Sequence, residues 1–215
     1  MAGFFISFEG IEGSGKSTQA TLLAQALRSQ GYEVVLTREP GGTAVGQVLR
    51  RLLLESTSSP LASGAELYLM LADRAQHVQE VVAPALQADK IVVSDRFLDS
   101  TTAYQGYGRG VELIFLSRLN AFACSGCMPA LTFVLDLPVT EGLRRARQRQ
   151  DRTDATDRFE AESVAFHERV RTGFLEVVRA EPQRVHLLDT VRPVEMIHQE
   201  ILAVVRSRLP VLRKT

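Results

Sequence analysis

Runs of apolar residues of strand length alternate along the chain with longer segments whose apolar residues recur at helical spacing. The apolar runs, rich in Val, Ile and Phe, predict β-strands at 3–9, 33–37, 90–95, 131–136 and 185–189. The helical spacing predicts helices at about 16–30, 43–54, 65–88, 111–123, 139–149, 158–181 and 193–208. Because the strands are apolar almost throughout, we expect them to be buried on both faces. The alternation predicts an α/β fold, with a five-stranded parallel sheet covered by helices on both faces and right-handed crossovers.

Length and composition favour a single globular domain over residues 1–215. Hydrophobic residues make up 45% of the chain and charged residues 23%, as in an ordinary globular domain. The sequence has no run of 18 apolar residues, and its first ten residues are too short and too quickly acidic for a signal peptide. We therefore expect a cytoplasmic protein without a membrane segment.

The charges balance, since 25 Lys and Arg residues face 25 Asp and Glu residues. A net charge of zero argues against a nucleic acid or an anionic membrane as a partner held by bulk positive potential. Only three of the 25 basic residues are lysines, so the chain is rich in arginine. Arginine supplies forked donors that match phosphate and carboxylate groups.

The two cysteines, Cys124 and Cys127, form a C-x-x-C pattern. A redox pair is expected to open a helix after a strand, whereas these residues come just before the predicted strand 131–136. A zinc site would need further ligands, and the four histidines lack suitable spacing. We therefore expect structural or incidental thiols.

The segment between the first predicted strand and the first predicted helix fits the phosphate-loop pattern G-x-x-x-x-G-K-[ST]. Its residues are Gly10, Ile11, Glu12, Gly13, Ser14, Gly15, Lys16 and Ser17, and Thr18 follows in the helix. Glycines let consecutive backbone N–H groups point at an anion, and the helix N-terminus adds positive potential. We expect these residues to bind ATP, with Lys16 at the β/γ-phosphate oxygens and the hydroxyl of Ser17 on Mg²⁺.

A phosphate loop also requires an acid near the metal, at the end of another strand. Asp95 ends the predicted strand 90–95, and Asp136 ends the predicted strand 131–136. We favour Asp95, because Arg96 follows it and supplies a fixed guanidinium near the phosphates. Asp136 precedes a Leu-Pro pair and is expected to cap the next helix instead.

Several arginines are placed to bind a second phosphate. Arg38, Arg74 and Arg96 are predicted near the carboxyl edge of the sheet, where ligands of α/β proteins bind. The segment 144–158 carries six arginines and interrupts a pair of helices, as a mobile flap over a site would. A GTPase would carry an N-K-x-D base reader, which the sequence lacks. The pattern favours phosphoryl transfer between two nucleotides.

Five segments together resemble the thymidylate kinase family in its bacterial form. They are FEGIEGSGKSTQ (8–19), TREPGGT (37–43), ADRAQHV (72–78), SDRFLDSTTAYQGYGRG (94–110) and DRFE (157–160). They span most of the chain in the family's order and spacing, and the second and fourth are more specific than a phosphate loop.

The resemblance implies a P-loop nucleoside monophosphate kinase-like fold with a short lid at about 147–158. It implies transfer of the γ-phosphoryl group of ATP, with Mg²⁺, to dTMP, giving dTDP for dTTP synthesis. It also implies a homodimer, formed through a helix such as 65–88. The alternatives are another P-loop kinase, acting on deoxynucleosides or pyrimidine monophosphates, or a nucleotide-dependent switch or assembly ATPase.

The resemblance also assigns residues to the acceptor dTMP. It places Glu12 at the 3′-hydroxyl group and near the metal, and Arg38 and Arg96 at the acceptor phosphate. Pro40 matches a family proline that is often cis and that fixes its loop beside the acceptor.

On the base and sugar, the resemblance places Arg74 at the thymine O4 and both Thr101 and Gln105 at the thymine edge. Tyr104 matches an aromatic residue that packs where a ribose 2′-hydroxyl would project, and so acts as a deoxy-sugar filter. Met70 stands where the family commonly has a Phe that stacks on thymine, and a thioether gives less defined stacking.

For catalysis the resemblance implies Lys16, Arg96 and Glu12 together with an arginine that stabilises the transferred phosphoryl group. Some members carry that arginine directly after the P-loop acid, where this chain has Gly13. In members without it the lid supplies the charge.

The lid of this chain offers three candidates, of which we favour Arg149, then Arg152 and Arg147. The alternative is that these arginines form surface ion pairs with the aspartates of the same segment. For adenine, the candidates are Arg145 and the loop 190–193.

Overall fold

The structure, a computed structural model, describes residues 3–54, 61–150 and 158–209. Its strands are β1 (Phe4–Glu9), β2 (Val34–Arg38), β3 (Ile91–Asp95), β4 (Leu131–Asp136) and β5 (Val185–Asp189). Its helices are α1 (Lys16–Ser29), α2 (Ala44–Leu54), α3 (Ser63–His77), α4 (Ala83–Gln87), α5 (Leu98–Thr101), α6 (Leu113–Cys124), α7 (Val139–Gln150), α8 (Val164–Ala180) and α9 (Val194–Arg208). Two π-helical segments, Val78–Val82 and Thr102–Gly108, follow α3 and α5.

The five strands form one parallel sheet in the order β2-β3-β1-β4-β5, which confirms the predicted fold class. Strand β1 lies at its centre, and all six of its residues are buried. The sequence predicted every strand to within one residue, because each is a short apolar run closed by polar residues. The carboxyl ends of β1, β2 and β3 meet at one edge, which brings Glu9, Arg38 and Asp95 into the same region.

Hydrophobic clusters cover both faces of the sheet. On one face the core includes Phe8 and Phe133 of the sheet together with Leu23 of α1 and Ile201 of α9. On the other face, helix α8 packs against the π-helical segment Thr102–Gly108 and contributes further aromatic residues to the core. Among the described residues, no helix combines the length and the apolar character needed to cross a bilayer.

Both cysteines lie in a third apolar cluster beside β3. They are free thiols, and both are buried. Burial raises the pKa of the Cys124 thiol to about 12 and shifts the pKa of Cys127 in the same direction. This agrees with the expected structural role, since a thiol with a raised pKa carries little reactive thiolate near neutral pH.

Two helix predictions need correction, and one helical segment was not predicted. The predicted helix 65–88 is interrupted by the π-helical turn Val78–Val82, next to Pro84, whose ring nitrogen has no N–H for the helical ladder. The predicted helix 158–181 starts only at Val164, after a turn. Helix α5 and the π-helical segment after it were not predicted at all, because their sequence is polar and glycine-containing and has no apolar period.

Candidate active site

The phosphate loop joins β1 to α1, as the motif requires. Gly10, Gly13 and Gly15 all have positive φ angles, of 137°, 71° and 94°, a backbone region that favours glycine. A Cβ atom at Gly10 would lie 2.4 Å from the carbonyl oxygen of Leu135. The glycines therefore allow the turn, and Gly10 also allows the loop to pack closely against strand β4.

Lys16 is the first residue of α1, and its side chain folds back over the loop. Its Nζ donates to the carbonyl oxygen of Ile11 at 2.7 Å and to Ser14 Oγ at 3.3 Å. Burial, helped by the positive charge of Arg96, lowers the pKa of Lys16 to about 8. The ammonium group is thus held in a buried position where bound phosphate oxygens would stabilise its charge.

Ser17 and Asp95 come together at the predicted metal position. The hydroxyl of Ser17 donates to Asp95 Oδ2 in a short hydrogen bond. Hydroxyl and carboxylate oxygens are the hard ligands that Mg²⁺ prefers, and Mg²⁺ in kinases completes its shell with phosphate oxygens and water. Among the described residues, no group of three or more His, Cys, Asp or Glu is arranged to hold a metal ion. Ser17 and Asp95 offer two oxygen ligands, so an ion bound there would need phosphate oxygens and water for the rest of its shell.

Asp136 has a different partner from the one predicted. Its carboxylate accepts two hydrogen bonds from Arg171, at 2.7 and 2.8 Å, which ties β4 to α8. The predicted role as a helix cap is therefore replaced by a bidentate ion pair. Asp95 lines the cleft between the phosphate loop and α3, and Asp136 is not among its lining residues. The choice of Asp95 for the metal stays a prediction.

Arg96 lies just after β3 with a φ angle of 72°. Its Nη1 donates to the carbonyl oxygen of Gly10 and to Ser100 Oγ, both at 3.0 Å. Its Nη2 donates to Glu12 Oε1 at 3.0 Å and to the hydroxyl of Tyr104 at 3.2 Å. The guanidinium group is thereby fixed between the phosphate loop and the segment that follows α5.

Glu12 accepts a hydrogen bond from Tyr104, whose Oη lies 2.6 Å from both carboxylate oxygens. Burial favours the neutral acid, but the neighbouring His167, Arg96 and Lys16 outweigh it and hold the pKa of Glu12 well below its usual range. His167 Nδ1 lies 3.5 Å from Glu12 Oε2, and neither ring nitrogen has a hydrogen-bond partner in the described part of the chain. Glu12 is therefore an anion inside the phosphate loop.

Arg74 is almost fully buried on α3. Its Nε and Nη2 contact Glu39 Oε2 at 3.0 and 2.9 Å, and its Nη1 donates to Thr101 Oγ1 and to Asn120 Oδ1 at 2.9 and 2.8 Å. Both N–H groups of Nη1 are engaged, so Nη2 is the nitrogen that can still donate to a ligand. The contact with thymine O4 that the resemblance implied would use that nitrogen, and it stays a prediction.

Glu39 also accepts from His77 at 2.8 Å, and its peptide bond to Pro40 is cis, as the resemblance implied. The loop after β2 is thereby joined to α3. Sequence reasoning did not select Glu39 or His77, nor His167, because nothing in the local pattern shows which charged residues pair across the fold. The one available signal in the sequence is that Glu39 lies between Arg38 and Pro40, which are both candidate site residues.

One cleft of about 900 Å³ connects these groups. Residues predicted for both substrates line it: Glu12, Gly13, Lys16, Ser17, Arg38, Pro40, Met70, Arg74, Asp95, Arg96, Thr101, Tyr104 and Gln105. Phe159, just after the predicted lid, was not predicted, and its ring packs edge-on against Tyr104 with centroids 5.5 Å apart. The structure thus joins the phosphate loop and the second set of arginines in one site.

The remaining candidates lie beside the cleft or outside the described residues. Arg145 lies next to Gly13, since a Cβ atom placed on Gly13 would be 3.1 Å from the Cβ atom of Arg145. Arg145 Nη1 donates to the carbonyl oxygen of Thr190 at 3.4 Å. The two candidate regions for adenine are therefore neighbours. Arg147 is exposed on α7. Arg149 is in the last turn of α7 but its side chain lies outside the described part, as does all of Arg152.

Comparison with known proteins points in the same direction as this geometry. The family model for thymidylate kinase matches residues 8–201. The chain belongs to the thymidylate kinase family. It is 52% identical over 194 residues to thymidylate kinase from Desulfovibrio desulfuricans, covering 89% of each chain. It is 50% identical over 210 residues to thymidylate kinase from Trichlorobacter lovleyi, covering 96% of this chain and 99% of that one.

A solved structure supports the fold independently. The crystal structure of thymidylate kinase from Ehrlichia chaffeensis matches with a TM-score of 0.77 and 36% identity, over 96% of this chain and all of the other. Family membership makes this chain an enzyme, a kinase that phosphorylates thymidylate with ATP as the donor.

Proposed function

We propose that the chain transfers the γ-phosphoryl group of MgATP to dTMP inside the 900 Å³ cleft. The observation that carries this proposal is that Lys16 and Ser17 share the cleft with Arg38, Arg74 and Arg96. A phosphate loop alone serves many nucleotide-binding proteins, whereas a second group of arginines in the same cleft supplies a site for an acceptor phosphate.

At the donor end, the loop N–H groups and Lys16 bind the phosphates of ATP. Ser17 and Asp95 hold Mg²⁺ there, Ser17 at the ion and Asp95 through its hydrogen bond to Ser17. The ion, when bound, neutralises charge on the phosphate oxygens. Arg145 and the loop 190–193 receive the adenine, since they lie beside the phosphate loop.

At the acceptor end, Glu12 binds the 3′-hydroxyl group of dTMP, and Arg38 and Arg96 bind its phosphate. Thymine then lies between Met70 and the edge formed by Arg74, Thr101 and Gln105. Support comes from the fixed geometry of Glu12 and Arg96, each held by Tyr104 before any substrate arrives. Preorganised charges of this kind lose little energy on reorganisation when the substrate binds.

The reaction itself needs positioning and charge stabilisation more than covalent chemistry. The acceptor is already an anionic phosphate, so no general base is required. Lys16 and Arg96 stabilise charge that develops during transfer, and the lid at about 147–158 adds Arg149, Arg152 or Arg147 and excludes water. Residues 1–215 act in this as one domain.

The test is an ADP-release assay over a panel of acceptors containing dTMP, dUMP, dCMP and ribosyl TMP. We expect dTMP to give the highest kcat/KM. A higher value with another monophosphate would make the chain a different P-loop kinase, and ADP release that ignores every acceptor would make it an ATPase. Lys16→Ala should abolish the activity, whereas Lys90→Ala, which removes an ion pair with Glu33 away from the cleft, should not.

We also propose that the chain is a homodimer. Helices α3 and α6 pack against each other and expose several large apolar side chains, which are Tyr68, Ile114, Phe115 and Phe122. Exposed apolar clusters of this kind are typical of protein interfaces. Sedimentation equilibrium measures the mass, and Phe122→Glu should shift it towards the monomer.

A cytoplasmic location stays a prediction from the sequence, and cell fractionation tests it.

A further inference from the structure

Glu66 of α3 lies next to the base end of the cleft without lining it, and its side chain is completely buried. Its Oε1 accepts from Gln105 Nε2 at 2.8 Å and from Arg109 Nε at 3.1 Å. Its Oε2 accepts from Arg109 Nη2 at 3.0 Å and from Arg158 Nη2 at 2.8 Å. One carboxylate thus receives four hydrogen bonds from three side chains.

The two arginines fix the position of this carboxylate. They compensate for the burial of its charge, since a buried carboxylate is stable only when it is paired and hydrogen-bonded. Arg158 is itself held by the end of α2. Its Nε donates to the carbonyl oxygen of Leu53 at 3.0 Å, and its backbone N–H donates to the carbonyl oxygen of Leu54 at 2.8 Å. Glu66 therefore cannot turn away from Gln105 without breaking several bonds.

The contact with Glu66 determines which way the Gln105 amide points. An ionised carboxylate only accepts hydrogen bonds, so the side of Gln105 that faces Glu66 must be its NH₂ group. The carbonyl oxygen of the same amide is left on the other side, and Gln105 lines the cleft. Without Glu66, the two orientations of the amide would be close to equivalent in shape.

We propose that Glu66 is a positioning residue that sets base specificity by holding Gln105 with its carbonyl oxygen towards the base. This inference rests on the proposed location of the acceptor base. Thymine and uracil carry a proton on N3 and can donate to that oxygen, whereas N3 of cytosine is an acceptor and would meet it lone pair to lone pair. Glu66 would therefore help the site to reject cytosine while never touching the substrate.

The test is Glu66→Gln, which keeps the size of the side chain but lets position 66 present an NH₂ group to Gln105. We expect the ratio of kcat/KM for dTMP to that for dCMP to fall at least tenfold, mainly through a higher KM for dTMP. The ratio for dTMP to dUMP should stay within twofold of the parent, since both bases carry the N3 proton. The KM for ATP should not change.

Glu162→Gln is the matched control. Glu162 pairs with Arg109 Nη1 at 2.6 Å from the more exposed side and makes no described contact with Gln105. Its removal disturbs the same arginine, yet should leave both ratios unchanged. A purely structural role for Glu66 would lower the thermal stability and reduce activity with all acceptors by a similar factor.

A double-mutant cycle with Gln105→Leu completes the test. In that background Glu66→Gln should cause no further loss of the dTMP to dCMP ratio, because the amide it orients is gone. An unchanged ratio in the single variant, or full additivity in the double variant, would overturn the proposal. If Glu66→Gln does not fold, Glu66→Asp, which withdraws the carboxylate by one methylene, should lower the same ratio. A parent enzyme that ignores dTMP would refute the proposed function instead.

Discussion

The hydroxyl group of Tyr104 bridges the two oxygens of the Glu12 carboxylate, at 2.6 Å from each. The same hydroxyl accepts from Arg96 Nη2 at 3.2 Å, and the guanidinium carbon lies 5.0 Å from the centre of the tyrosine ring. The tyrosine that the sequence suggested as a sugar filter is therefore also the support for two charged residues of the site. Its ring and its hydroxyl have separable tasks.

Tyr104→Phe and Tyr104→Ala should separate these tasks. Phe keeps the ring but loses a hydrogen bond to a charged group, worth about 1.5–3 kcal/mol, so kcat/KM for dTMP should fall on the order of 10- to 100-fold. The preference for dTMP over ribosyl TMP should remain in Phe and relax in Ala, which opens space near the sugar. Steady-state kinetics with both acceptors measures this. Unchanged selectivity in Tyr104→Ala would remove the sugar-filter role.

Met70→Phe should improve binding of dTMP. Met70 is half-buried and lines the cleft, at the position where the resemblance placed a stacking Phe. An aromatic pair contributes about 0.5–1.5 kcal/mol beyond its buried area, so the KM for dTMP should fall about three- to tenfold. Met70→Leu, similar in size but without a ring, should change it less than twofold. A higher KM in Met70→Phe would mean that the ring does not fit beside the base.

Glu9 should make stability depend on pH. The residue is fully buried at the end of β1, and burial together with the nearby charge of Asp99 raises its pKa from 4.5 to about 8, against the opposing effects of Ser100, Arg96 and the Phe97 N–H. Between these values the folded state keeps the proton and the unfolded state releases it. The free energy of unfolding should therefore decrease as pH rises from about 5 to 8, by at most about 1.4 kcal/mol per pH unit.

Glu9→Gln carries no such proton, so its stability should lack this contribution. Urea unfolding at several pH values measures the difference between variant and parent, which should grow in favour of the variant from pH 5 to pH 8. A difference that stays constant over this range would show that Glu9 has the same affinity for its proton in both states.

The sequence was sufficient for the parts of the fold that depend on local pattern. The strands and the phosphate loop are short stretches with a clear apolar or glycine signature, and they were located to within a residue. The segment Thr102–Gly108 was not predicted, because its successive side chains have different surroundings, some in the core and some at the cleft. Ala103 packs in the core while Tyr104 and Gln105 line the cleft, so no helical period survives in the sequence.

The supporting residues of the site were beyond sequence reasoning for a different reason. Glu66 and Gln105 are 39 positions apart, and His167 lies 155 positions after Glu12. From the sequence alone, a buried Glu in an amphipathic helix cannot be distinguished from a Glu on the solvent-exposed face of such a helix. Only the crossing of α3 with the segment after α5 shows that this carboxylate is buried and shared by two arginines.

Arg149→Ala should reduce kcat on the order of 10³-fold with little change in either KM, because a charge acting on the transferred phosphoryl group stabilises the transition state more than the bound substrates. Arg144→Ala is the matched control on the same helix, since Arg144 is exposed and donates to Glu141 with two bonds of 2.8 Å. Rapid-quench kinetics measures the chemical step. Parental kcat in Arg149→Ala and a loss in Arg152→Ala would assign the role to Arg152.

The backbone at Gly13 favours the proposal that the stabilising charge comes from the lid and not from the phosphate loop. Its φ angle is 71°, and a Cβ atom there would lie 2.2 Å from the carbonyl oxygen of Gly142 and 3.1 Å from the Cβ of Arg145. The phosphate loop packs directly against the start of α7 at this point, so a side chain at position 13 would push the two apart. An arginine at position 13 would therefore require the loop and the start of α7 to move apart.

Gly13→Ala should raise the KM for ATP at least tenfold, because the displaced loop no longer presents its N–H groups to the phosphates. Gly64→Ala is the control, since a Cβ at Gly64 has no described atom within 4 Å, and this variant should keep parental kinetics. Gly13→Arg should not restore kcat when combined with Arg149→Ala. Restored kcat in the double variant would show that the loop and α7 can move apart at Gly142 to admit a side chain at position 13. The packing of Gly13 would then not determine where the stabilising charge comes from.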